Sequence, residues 1–204
     1  MSALGFVSPS GAADAKGFHP VCRSSMDRRQ REAGATFEER DGWLVPVSIP
    51  GEADRVAIAG VADLSHLSVT EVRPSEPVLG GEGVVWYRLS DRRSLVLSDR
   101  AGADALRDQA GPRTVLDLSG ALSIIAVCGE EAGTIVRRLT HLHHFPSSGE
   151  VAHINAHVLQ RGDAYWIVFA QEFGHYLWDV VVDRAAALGG GPVGVDALPK
   201  GALL

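Results

Sequence analysis

The sequence predicts an α+β fold, antiparallel sheets with helices packed on one face, and three observations carry that prediction. Apolar residues alternate with period two over several short runs, then shift twice to a 3.6-residue stripe in the second half. Gly and Pro punctuate the intervals between these runs. The second half orders its elements strand, helix, strand, strand, helix and a last short extended segment, which is a split β-α-β arrangement. With 204 residues, 46% apolar and 22% charged, the chain can bury a core without staples and does not have a disordered or coiled-coil composition.

Residues 1–25 are rich in Gly, Ser, Ala and Pro, lack an apolar period and read as a flexible tail, with Met26 an alternative start. From Met26 a polar helical stretch leads to Gly42-Trp43-Leu44-Val45-Pro46-Val47. This is a strand confined to an edge or entry position, because proline cannot donate to a ladder. Pro50-Gly51 is a turn, and residues 52–59 form a short helix with Val56 and Ala59 inward. Residues 67–72 form a strand in which Leu67, Val69 and Glu71 alternate with Ser68, Thr70 and Val72. Pro74, Pro77 and Gly80-Gly81 mark a break. Strands 84–89 and 94–98 then flank the polar turn Ser90-Asp91-Arg92-Arg93 as a hairpin, and a helix near 101–109 stops at Gly111-Pro112. Residues 26–112 make the N-terminal half.

The C-terminal half, 113–204, begins with strands 114–118 and 122–127. Gly129 opens a helix whose Ala132, Ile135, Val136 and Leu139 fall at i, i+3, i+4 and i+7. A loop over 140–149 precedes strand 151–159, with Ile154, Ala156 and Val158 on one face and His153, Asn155 and His157 on the other. Strand 165–169 leads into a helix striped by Phe173, Tyr176, Leu177, Val180 and Val181, which ends at Gly189-Gly190-Gly191-Pro192.

Composition excludes several functions. A net charge of -6, from 19 Lys+Arg against 25 Asp+Glu, argues against nucleic acid, since Arg28, Arg29 and Arg31 are interrupted by Asp27 and Glu32. There is no apolar run of membrane length and no signal peptide pattern, and two distant cysteines suit free thiols in a cytoplasmic protein. His141, His143 and His144, with His153 and His157, lack a carboxylate or thiolate at diagnostic spacing, so no metal is expected. The glycine clusters lack phosphate-binding spacing, and no Gly-x-Ser-x-Gly elbow is present, so no catalytic residue is assigned. Tryptophans 43, 86, 166 and 178 are core or interface candidates, and Trp86 and Trp166 are the candidates for stacking a flat ring.

Gly34, Gly42-Trp43, Pro46-Val47 and Gly60-Val61-Ala62-Asp63-Leu64-Ser65-His66 resemble the start of the aminomethyltransferase family, the glycine-cleavage T protein and its relatives. The likeness continues through residues 81–97, Asp117-Leu118-Ser119, residues 125–129, Tyr176-Leu177-Trp178-Asp179 and Pro192-Val193-Gly194. It implies the folate-binding fold of that family, whose members seat tetrahydrofolate, use an acid after a glycine-rich turn in one-carbon transfer and grip the pterin with a glutamate; for this chain no cofactor is assigned and tetrahydrofolate is the candidate. Here the turn reads Gly83-Val84-Val85-Trp86-Tyr87 without a carboxylate, and Trp166 of Ala164-Tyr165-Trp166 replaces the glutamate. Asp-Leu-Ser occurs at 63 and again at 117, consistent with two related halves.

In size and pattern the chain is similar to the gamma subunits of heterotetrameric sarcosine oxidases. That likeness implies a non-catalytic subunit whose partners are the flavoprotein and folate-binding subunits of an amine oxidase complex, with His153, Asn155 and His157 at the interface. The alternative is a free-standing tetrahydrofolate-dependent transferase or folate sensor, in which Asp91, Asp99 or Glu82 supplies the carboxylate.

Overall fold

The computed structural model describes residues 20–74, 76–77 and 83–204; Gly80-Gly81, Glu82 and residues 1–19 of the expected tail lie outside the described residues. In chain order the elements are β1 (Cys22–Arg23), α1 (Asp27–Glu32), β2 (Thr36–Arg40), β3 (Trp43–Ser48), α2 (Glu52–Ala59), β4 (Gly60–Asp63), β5 (Ser68–Arg73), β6 (Val84–Ser90) and β7 (Arg93–Ser98). They continue as α3 (Arg100–Gln109), β8 (Thr114–Asp117), β9 (Leu122–Cys128), α4 (Ala132–Leu139), β10 (Ser147–Val151), β11 (Ile154–Arg161), β12 (Ala164–Ala170), α5 (Gly174–Ala186) and β13 (Gly191–Pro192). Short 3-10 turns follow at Val195–Ala197 and Lys200–Ala202.

A six-stranded sheet of order β10-β11-β12-β9-β4-β13 is the central layer. Its central strands β9 and β12 read as near-continuous apolar runs because both of their faces are covered. On β9, Ile124, Ala126 and Cys128 enter one core with Trp166 and Val168 of β12. The alternate residues Ile125 and Val127 enter a second core with Ile167, Phe169 and the stripes of α4 and α5. Helices thus occupy one face, as predicted. The other face is closed by a four-stranded sheet of order β6-β7-β5-β8 and by the C-terminal turns.

The repeated Asp-Leu-Ser is where the chain crosses between the two sheets. Leu64 N–H donates to Ile124 O at 2.9 Å, and Ile124 N–H donates to Ser65 Oγ at 3.2 Å. The second copy does the reciprocal: Leu118 N–H donates to Val69 O at 2.8 Å, and Val69 N–H to Ser119 Oγ at 3.0 Å. In each copy the Asp Oδ1 accepts from the backbone N–H of its own serine, at 2.8 Å for Asp63 and 2.9 Å for Asp117. Each motif therefore grips the strand that follows the other. As a result β4, from the first half, pairs with β9, and β8, from the second half, pairs with β5. The two halves exchange one strand each.

Several elements differ from the sequence reading. The tail's last residues form β1, parallel to β3, and Met26 is fully buried. The polar stretch after Met26 divides into α1 and an unpredicted strand β2, paired with β3. β1 reaches only Trp43 and Leu44, so Pro46 faces no ladder partner on that side. The predicted loop 140–149 ends in β10, and strand 151–159 is broken by a turn in which Ala152 and His153 have φ of 46° and 66°. Pro146-Ser147-Ser148-Gly149 has loop composition; β10 pairs with β11 along its length, and the Thr140 hydroxyl adds a bond to Glu150 O at 2.6 Å. In α5 the buried face is Gly174, Leu177, Trp178, Val181 and Ala185, leaving Phe173 and Tyr176 41% and 44% exposed.

Candidate functional site

Trp86 and Trp166, the two sequence candidates for ring stacking, lie in different sheets and are not brought together. Trp86, on β6, packs with Val72, Val96 and Leu106 on the side of the small sheet that α3 covers. Trp166 is fully buried between the sheets, where its indole N–H donates to Ala202 O at 2.8 Å. Arg161 lies 5.7 Å from the Trp166 ring and reaches Leu203 O at 3.4 Å, so the C-terminal turns are tied down over position 166.

Position 166 does not offer the acidic group that the resemblance expects for a pterin. No carboxylate stands at 166, its one donor is spent on the backbone, and the surrounding space is filled by Val195, Leu198 and Ala202. Nor do the alternative acids form a site. Asp91 is at the exposed tip of the β6–β7 hairpin, where it accepts from Arg88 at 2.6 Å. Asp99 caps α3 by accepting from Gly102 N–H at 2.7 Å. Glu82 lies outside the described residues.

The histidines also separate. Among the described residues no group of three or more His, Cys, Asp or Glu side chains could hold a metal. His153 sits in the β10–β11 turn beside Glu150, at 3.2 Å, rather than on the strand face. His157 stays on β11 but turns toward the small sheet, edge-on to Tyr87 at 5.5 Å. Its Nδ1 bonds Ser148 Oγ at 2.7 Å, and Ser148 bonds the Tyr87 hydroxyl at 2.6 Å. Burial, then the nearby Arg93, push the His157 pKa down and favour the neutral ring.

A buried acid escaped the sequence reading as a polar centre. Glu71, 3% exposed, takes two bonds from Arg93 at 2.6 and 3.1 Å and one from Arg73. The Arg93 bond holds its carboxyl below the ordinary range against the opposing effect of burial. Its signal in the sequence was a glutamate sharing a strand face with Leu67 and Val69. Cys22 and Cys128 are free thiols, Cys128 buried and pushed up to about 11, which makes it inert.

A cleft of about 760 Å³ opens among α2, α4, the β11–β12 turn and the C-terminal segment at Ala197 and Pro199. Tyr165 lines it, one residue from Trp166 and on the opposite face. Arg137, Gln160 and Tyr165 also border an adjoining cavity that reaches His143 and His144. Sequence reading missed this site because Tyr165 and Arg137 carry no motif.

No family model and no curated protein matches the sequence. Among solved structures, the chain is similar to the glycine cleavage system aminomethyltransferase T from Bartonella henselae, with a TM-score of 0.68 at 18% identity over 87% of this chain. The chain spans 60% of that protein's length. It is similar also to a chain of the heterotetrameric sarcosine oxidase from Corynebacterium sp. U-96, with a TM-score of 0.60 at 17% identity, covering 83% of this chain and 97% of that one. No helix among the described residues is long and apolar enough to cross a membrane. The architecture of a six-stranded, a four-stranded and a three-stranded sheet with helices is therefore an aminomethyltransferase-like fold, similar also to a sarcosine oxidase chain of similar extent.

Proposed function

We propose that the chain is a non-catalytic subunit, similar to the gamma subunit of sarcosine oxidase, within a folate-linked amine-oxidising complex. The observation that carries this reading is Trp166: the position that resemblance gives to the pterin glutamate is a sealed core tryptophan, bonded to the chain's own C-terminal turn. The frame persists while the ligand-reading group is replaced. The 97% coverage of a chain from a heterotetrameric oxidase adds support. In this reading flavin chemistry and folate binding belong to partner subunits.

Thermal unfolding of the purified chain with excess tetrahydrofolate tests the folate half of the reading. A ligand at a hundred times its dissociation constant adds about 2.7 kcal/mol, or roughly 5 to 10 °C for a chain of this length. The expected result is no shift. A rise of that size would return the chain to the folate-binding transferases or sensors.

A further inference from the structure

The cleft above α4 holds charges that the protein itself leaves unpaired. Most arginines outside it are matched, as Arg29 is with Asp179, Arg40 with Asp196 and Arg93 with Glu71. Arg137 instead reaches only the Thr134 hydroxyl, at 3.2 Å, and among the described residues it has no carboxylate within ion-pair distance. Glu130, just before α4, and Asp163, in the β11–β12 turn, line the same cleft and are likewise in no ion pair among the described residues. Opposite charges thus border one cleft at separations beyond direct contact.

Gly133 forms the floor between them. A Cβ there would lie 3.2 Å from Arg137 Nη1 and 3.4 Å from the Tyr165 hydroxyl, so both donors converge over this residue. The Tyr165 ring is fixed edge-on to Phe145 at 5.4 Å, and its hydroxyl has no hydrogen-bond partner among the described residues. Val56 and Pro199 add apolar wall. A cleft of this volume, apolar in part and with a few convergent polar groups, has the character of a small-molecule site.

We propose that this cleft binds an amino-acid-type zwitterion, its carboxylate on Arg137 and the Tyr165 hydroxyl and its ammonium toward Glu130 or Asp163. A planar guanidinium matches a carboxylate in two bonds, and the two acids on the same cleft disfavour a dianionic phosphate. Trp166 does not line the cleft, although Ala197 and Pro199, from the C-terminal turns that cover Trp166, do.

The test is calorimetric titration of the full chain with each of the twenty protein amino acids, then with the N-acetyl and amide forms of the tightest binder. Saturable binding of at least one free amino acid is expected, weakened about tenfold or more when either charge is blocked. Arg137→Gln should reduce affinity by a similar factor, while Arg138→Gln, on the neighbouring exposed position, should not. Gly133→Ala removes a helix-destabilising glycine, so the fold should be kept or strengthened while the added methyl crowds Arg137 and lowers affinity. Absence of saturable binding at millimolar amino acid overturns the proposal, as does binding that is indifferent to both Arg137→Gln and charge blocking.

Discussion

His157 is a titratable side chain engaged at the meeting of the two sheets. It joins Tyr87 of the small sheet to Ser148 of the central sheet's edge strand, and burial with Arg93 disfavours its charged form. Its folded pKa lies below the unfolded value of about 6.5, so the unfolded chain binds the proton more tightly. The stability contributed is therefore present above about pH 6.5 and is lost as pH falls through the lowered folded pKa. His157→Gln should cost about 1 kcal/mol at pH 7.5. The gap between wild type and variant should narrow toward pH 5, as read by urea unfolding at each pH. A gap that widens on acidification would mean that the ring is charged in the fold. Glu71 has the same sign for a different reason: its arginine partners depress its pKa, and its contribution fades only as pH falls below the ordinary carboxylate range.

The elements were legible where apolar period and turn chemistry agreed. Helix α2 spans Glu52–Ala59 as read, and all four predicted stripe residues of α4 are buried. The β6–β7 hairpin also forms as expected. Legibility failed where pairing partners rather than local sequence decide the state, as in β2, with its charged Glu38, Glu39 and Arg40, and in β10, written in serine, glycine and glutamate. Residue type makes Trp86 and Trp166 stacking candidates, but their separation into two sheets is not written in residue type. The repeated Asp-Leu-Ser was visible as three letters, and its meaning, a reciprocal crossing, required coordinates. That crossing makes a prediction at this scale. Ser65→Ala orphans the buried Ile124 N–H and should cost about 1 to 3 kcal/mol in chemical denaturation. Ser119→Ala should act in the same direction through Val69, and equal stability of both variants to wild type would remove the crossing's structural role.

At the scale of the molecule, the exchange of β4 and β8 binds the two halves into one body, so the boundary near residue 112 divides the sequence without separating the sheets. Both faces of the central sheet are covered, and the face toward the small sheet is filled from within by Trp166, Leu198 and Ala202. The proposed subunit role accords with this filled frame. The expected interface residues redistribute accordingly: Asn155 and the turn residue His153 are exposed and available, whereas His157 is engaged within the chain. The most direct measurement is native mass spectrometry of the complex purified through a tag on this chain expressed in its own cells. The expected result is a heteromeric assembly in which this chain accompanies a flavin-bearing subunit at fixed stoichiometry. A stable monomer free of any flavoprotein would contradict it.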